Sequence, residues 1–190
     1  MRAIIRNIVL ALFITLLPHT QVFAKEIAGV DVPDSATAGE HTLSLNGAGI
    51  RKKLLMKLYV GSLYLLESAK DGTAVTAEDA PMSIRLDITS KMITSERMTE
   101  ATMEGFKNSA GEKMSAIKAE IDEFMKQFEE PIKVGDIFEF VYLPGEGTKV
   151  SKNNKALTTI QGLPFKQALF GIWLSEKPAQ KSLKEAMLGS

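Results

Sequence analysis

The hydrophobic pattern changes period several times along the chain, and each change marks an element. From Thr42 to Leu66 the residues are strand-like: Leu43 and Leu45 alternate with polar neighbours, and Leu58-Tyr59-Val60 and Leu63-Tyr64-Leu65-Leu66 form an apolar, aromatic run. Asn46-Gly47 is a strong hairpin signal between the two halves of this stretch. Gly61 and Ser62 predict a bulge or a close approach within the second half. Glu67 to Ala80 is polar around Asp71-Gly72 and reads as a loop. Met82, Ile84, Leu86 and Ile88 then share one face of a half-buried strand, with Arg85 and Asp87 on the other. A helix follows, with Thr94 or Ser95 as N-cap and Met98, Ala101, Met103 and Phe106 among its apolar members. Asn108 to Gly111 breaks it. Met114, Ile117, Ile121, Phe124, Met125 and Phe128 predict a second amphipathic helix, ended at Glu129-Glu130-Pro131. Ile137 to Leu143 is apolar at both parities, as in a strand between two layers. Strands at Thr148–Ser151 and Ala156–Ile160 flank Asn153-Asn154, which tolerate φ > 0. Helices close the chain, one with Phe165, Leu169, Ile172 and Trp173 on a face and one with Leu183, Ala186 and Met187. The order predicts an α+β domain, an antiparallel sheet covered by helices on one face.

The first 24 residues stand apart. Arg2 and Arg6, the apolar run Ile8 to Leu17, and Val22-Phe23-Ala24 have the layout of a secretory signal cleaved after Ala24. The run is about 10 residues, too short for a helix to span ~30 Å of hydrocarbon. The expected organisation is a signal peptide at 1–24 and one domain at 25–190, and the expected location is the periplasm. Removing 24 residues from 190 leaves 166, with a net charge of about −2. Lys25 to Glu40 reads as an extended, turn-rich lead-in.

Composition then excludes functions. Near-neutral charge argues against a nucleic-acid footprint. The absence of Cys removes disulfides, thiolate metal sites and thiol catalysis. Of the two histidines, His19 falls in the leader and His41 in a polar turn-like stretch, so neither a His-rich metal site nor a Ser-His-Asp arrangement is expected. No cofactor, metal or membrane span is expected of the domain, and the sequence leaves the oligomeric state open. Gly47-x-Gly49 lacks the third glycine, the helix and the downstream acid of a dinucleotide loop.

Arg51 and Tyr59 are the candidate polar pair. A guanidinium fork fits a carboxylate, and a tyrosine hydroxyl adds a neutral donor. Their even spacing puts them on one face of strands. On one continuous strand they stand ~26 Å apart, at ~3.3 Å per residue. They lie directly opposite only if the chain reverses near Leu55, where Leu54-Leu55-Met56 are poor turn formers.

The segment NGAGIRKKLLMKLYVGSLYL, taken with FKQALFGIWLSEKPAQKSLKEAML, resembles the chalcone isomerase family, in particular its bacterial exported chalcone isomerase-like branch. The resemblance spans about Gly29 to Gly189. It implies an open-faced β-sandwich, a large antiparallel sheet under a layer of helices with a cleft between. The family contains enzymes that cyclise chalcones and non-catalytic relatives that bind fatty acids. Arg51 matches the cleft arginine of both kinds. Tyr59 matches the position where the enzymes carry threonine and the fatty-acid-binding relatives a tyrosine that meets the carboxylate. Between the two, this chain is a few residues shorter than the family pattern. The enzymes also carry a helical tyrosine and, seven residues on, an asparagine. Thr94 and Ala101 fall at those positions, so the donors that cyclisation aims at a developing enolate are missing. The resemblance therefore implies no catalytic residues, Arg51 and Tyr59 as ligand-binding residues, and Thr94 and Ala101 as possible cleft positions. The expected function is non-catalytic binding of a fatty acid or similar small amphipathic carboxylate. The alternatives are an intramolecular lyase or isomerase acting on a chalcone-like ketone, and a structural or interaction protein with a vestigial cleft. Abundant methionine suits either a pliable apolar pocket or an ordinary core.

Overall fold

The computed structural model describes residues 25–190; the expected leader and its cleavage point lie outside the described residues. A two-stranded ribbon of β1 (Lys25–Ile27) and β2 (Val30–Val32) precedes an antiparallel sheet of seven strands in chain order. These are β3 (Ser35–Ala38), β4 (His41–Lys53), β5 (Met56–Leu65), β6 (Met82–Ile88), β7 (Ile137–Leu143), β8 (Gly147–Lys152) and β9 (Lys155–Ile160). Five helices accompany it: α1 (Gly72–Ala77), α2 (Ser95–Ala110), α3 (Lys118–Met125), α4 (Leu163–Leu174) and α5 (Lys181–Met187). The architecture is α+β, with the helices on one face of the sheet, as the strand–helix order predicted. Among the described residues, two hydrophobic clusters hold the sheet and the helices together.

The helix-facing side is built from aromatic rings. Phe106, Phe124, Phe128, Phe138, Phe140 and Phe165 are fully buried, and neighbouring rings sit 5.3 to 5.9 Å apart, mostly edge to face. Such pairs add about 0.5–1.5 kcal/mol each to the burial itself. The other side of the sheet holds only a small cluster of Ala38, Leu43, Tyr64 and Leu143, with Val141 against it. β7 is therefore apolar on both faces, but only one face meets a helical layer. Its Glu139 lies with Arg85 and Asp87 on the open side, where Arg85 pairs Asp87 at 2.8 Å.

Four local expectations are corrected. Asn46-Gly47 is not a hairpin: β4 runs straight through it, with a register shift between Leu45 and Gly47. The C-terminal end of α5 docks there, so a Cβ on Gly47 would stand 2.2 Å from the Ala186 carbonyl oxygen. Asn46 ties the same spot together, donating to the Ala69 and Met187 carbonyls and accepting from Ala69 N and Ser68 Oγ. The chain instead reverses at Leu54-Leu55, between the paired residues Lys53 and Met56. Gly61-Ser62 is continuous strand with neither a bulge nor an unusually close approach: α5 Leu183 Cδ1 stands 3.5 Å from where a Gly61 Cβ would lie, an ordinary contact. The 67–80 loop contains α1, because Asp71 Oδ1 accepts from Thr73 and Ala74 N and caps a helix. The expected helix over Met114–Phe128 is regular only in α3. It is flanked by 3₁₀ turns at Gly111–Ile117 and Lys126–Phe128, yet Ile117, Ile121, Phe124 and Phe128 still enter the core.

α4 is buried almost all round, and it buries a lysine. Lys166 is wholly inaccessible; its Nζ donates to the carbonyls of Val75, Thr76 and Glu78 at the C-terminal end of α1. Three ammonium donors thus meet carbonyls that the end of a helix leaves unpaired. Burial holds the ammonium down at about 8, against the pull of Glu78 and Asp79.

Candidate functional site

The reversal at Leu54-Leu55 settles the question that spacing left open. Arg51 and Tyr59 are direct cross-strand partners. They share the face that carries Gly49 and Gly61, against which α5 packs, so both project toward the helices. Around them lies a cleft of about 460 Å³, bounded by the β4–β5 end, α2, α4 and the Pro178-Ala179 segment. Its apolar wall includes Leu58, Met92, Met98 and Ile172, and its charged rim carries Arg51, Lys53 and Arg97 against Glu100 and Glu104.

Tyr59 is nearly inaccessible, and its hydroxyl accepts a 2.9 Å hydrogen bond from Trp173 Nε1. Accepting leaves the phenolic O–H free to donate, and a donor behind it makes it a better one. Burial raises the Tyr59 pKa above its usual 10, partly offset by Trp173 and by the adjacent Arg51 guanidinium. The hydroxyl is thus neutral at physiological pH and keeps a proton that it can donate.

Arg51 is half-buried and held on one side. Its Nη1 donates to the Lys52 carbonyl at 2.7 Å and to Gln180 Oε1 at 3.1 Å. Gln180 Oε1 also accepts from Lys52 N, while Gln180 Nε2 donates to Ile50 O. The amide therefore clamps the end of β4 and consumes one guanidinium nitrogen. Among the described residues no carboxylate pairs with Arg51, and the Nη2 and Nε edge remains open. An open guanidinium edge beside a neutral phenol is a fork for a carboxylate or an enolate-like oxygen.

The two helical positions separate. Thr94 does not line the cleft; it is exposed, and its hydroxyl caps α2 by accepting from Arg97 N. Its expected place in the cleft is corrected by the N-cap geometry, which turns the side chain to the helix end. Ala101 does line the cleft, as an exposed wall residue. Sequence reasoning missed Trp173 and Gln180 as polar partners. Trp173 carried the signal of an apolar helix face, and nothing local in the sequence links Gln180 to Arg51, 129 positions away.

Residues 24–189 match the chalcone isomerase-like family. The chain belongs to that family. A crystal structure of an Arabidopsis thaliana fatty-acid binding protein has a similar fold, with a TM-score of 0.66 at 16% identity, covering 87% of this chain and 95% of that one. No curated protein sequence matches the chain. In this chalcone isomerase-like protein the helices and the antiparallel sheet stand as the resemblance implied.

Proposed function

We propose that this family member is a non-catalytic binding protein for a fatty acid or similar amphipathic carboxylate. The observation that carries the reading is the pairing of Arg51 with Tyr59 at the floor of the cleft, one presenting an unpaired guanidinium edge and the other a free hydroxyl. The fold neighbour, named as a fatty-acid binding protein, supports it. The cleft volume of about 460 Å³ falls within the 300–1,000 Å³ range of small-molecule sites. The six-phenylalanine core fills the space between sheet and helices, so an acyl tail runs along α2 past Met92, Met98 and Ile172 rather than into the domain. Lack of a donor at Ala101, with Thr94 turned away, supports binding without turnover. The sequence signal at 1–24 supports action after export, in the periplasm, where a free carboxylate is the available form of the ligand.

Trp173 is the only tryptophan and lines the cleft, so its fluorescence reports occupancy directly. Titration of residues 25–190 with laurate is expected to saturate. Arg51→Ala removes charge-assisted hydrogen bonds worth about 1.5–3 kcal/mol and is expected to weaken binding by roughly 10- to 150-fold. Equal laurate affinity in wild type and Arg51→Ala would overturn the proposal.

A further inference from the structure

The tip of the β4–β5 hairpin carries leucines that no described residue covers. Leu54 is 89% exposed, Leu55 98% and Met56 41%; the other exposed large apolar residues, Leu66 and Val134, stand singly. Short hairpin turns ordinarily use Asn, Asp or Gly. Here Leu54 itself holds φ 55°, in the left-handed region that costs a residue with a Cβ free energy. Solvent and backbone both disfavour leucine at this position, and such doubly disfavoured placements point to a function outside folding.

The flanks say what that function meets. Arg51, Lys52, Lys53 and Lys57 surround the tip, and residues 51–57 contain no acidic side chain, in a chain whose net charge is zero. Apolar side chains at an apex with flexible ammonium groups just behind them match an anionic lipid surface, hydrocarbon for the leucines and phosphates for the lysines. We propose that the β4–β5 tip docks this protein on an anionic phospholipid bilayer. Leu54 and Leu55 enter the acyl boundary, and Lys52, Lys53 and Lys57 lie against the phosphates. Arg51 and Lys53 also line the cleft, so docking sets the cleft mouth at the bilayer surface. The docking itself is independent of what the cleft holds.

The test uses residues 25–190 and sedimentation with vesicles of phosphatidylcholine alone or with one part in three phosphatidylglycerol. Each lysine near an anionic surface contributes roughly five-fold in partition, and each buried leucine about ten-fold or more. Binding is expected only with phosphatidylglycerol, reduced at high salt, and lowered at least ten-fold by Leu54→Ser/Leu55→Ser and by Lys52→Glu/Lys53→Glu. These positions are exposed, and unchanged thermal melting confirms that the variants fold. The chain has no cysteine, so Leu55→Cys accepts a single environment-sensitive dye. Its emission is expected to shift to the blue with anionic vesicles. The same dye at Glu146→Cys, on the turn at the opposite end of the sheet, is expected not to respond. Absence of binding, equal binding by the leucine variant, or a blue shift at position 55 that follows protein concentration without vesicles would overturn the proposal. The last result would assign the tip to contact between protein copies.

Discussion

Replacing Tyr59 by Phe tests the polar centre of the cleft with one atom. The hydroxyl oxygen accepts from Trp173 Nε1 at 2.9 Å, and both side chains are at least nine-tenths buried. Tyr59→Phe keeps the ring and its packing but leaves the indole N–H buried without an acceptor. A buried donor left unmade costs about 1–3 kcal/mol. In a domain of this size each kcal/mol moves Tm by about 2–4 °C, so a loss near 2 kcal/mol lowers it by roughly 4–8 °C. Removing both partners is expected to cost less than the two single changes together, since no orphan donor then remains. Urea unfolding of wild type, Tyr59→Phe, Trp173→Phe and the double variant gives the coupling, expected at about 1–2 kcal/mol. The same Tyr59→Phe protein is expected to bind laurate about ten-fold more weakly, the equivalent of about 1.4 kcal/mol for a lost neutral donor. Trp173→Phe and the double variant both lack tryptophan, so their laurate binding is followed by calorimetry. Coupling below about 0.3 kcal/mol, with Tyr59→Phe as stable as wild type, would refute the reasoning that this bond organises the site.

Other outcomes follow from buried charge, close approach and backbone strain. Lys166 has a folded pKa near 8 against an ordinary 10.5, so between those values the unfolded chain binds a proton that the native state lacks, and stability rises with pH by about 3 kcal/mol in total. Above pH 10 the sign reverses, because burial pushes Tyr64 and Tyr142 up to about 12, and unfolded tyrosines ionise first. Urea midpoints are therefore expected to peak near pH 10, and Lys166→Met is expected to abolish the rise from pH 8; a falling midpoint across that window in the wild type contradicts the account. Gly47→Ala places a methyl group against two backbone carbonyls of α5 and is expected to cost about 3 kcal/mol, whereas Gly61→Ala meets only ordinary contacts and is expected to stay within about 0.5 kcal/mol in the same unfolding assay. Leu54→Asn relieves the left-handed strain and is expected to raise stability by about 1 kcal/mol while lowering vesicle binding, so a protein that gains neither stability nor loses binding counts against the functional reading of the tip.

The elements that were legible in the sequence are those whose signal is periodic and local. Alternation placed β6, an apolar run on both parities placed β7, paired asparagines at positive φ placed the β8–β9 turn, and Thr94 read as a cap because capping needs only the next three residues. The errors share one cause. Asn46-Gly47 has the composition of a turn, but its small size and amide serve α5, which arrives from 140 positions away. Asp71-Gly72 also has turn chemistry, but Asp71 caps α1 and Lys166 on α4 bonds the carbonyls at the helix's other end, about 90 positions away.

The sequence by itself determined the class of fold and the helix-covered sheet, because hydrophobic period is a property of short segments, while Arg51 and Tyr59 were singled out by the family resemblance. Only the tertiary structure decided that Arg51 and Tyr59 meet, since that depends on a reversal at Leu54-Leu55 that no turn residue announces. The indole that leaves Tyr59 free to donate and the amide that leaves half of Arg51 open also come from there. Both partners lie more than a hundred residues away, and a hydrogen bond across that separation exists only once the sheet and the helices have packed.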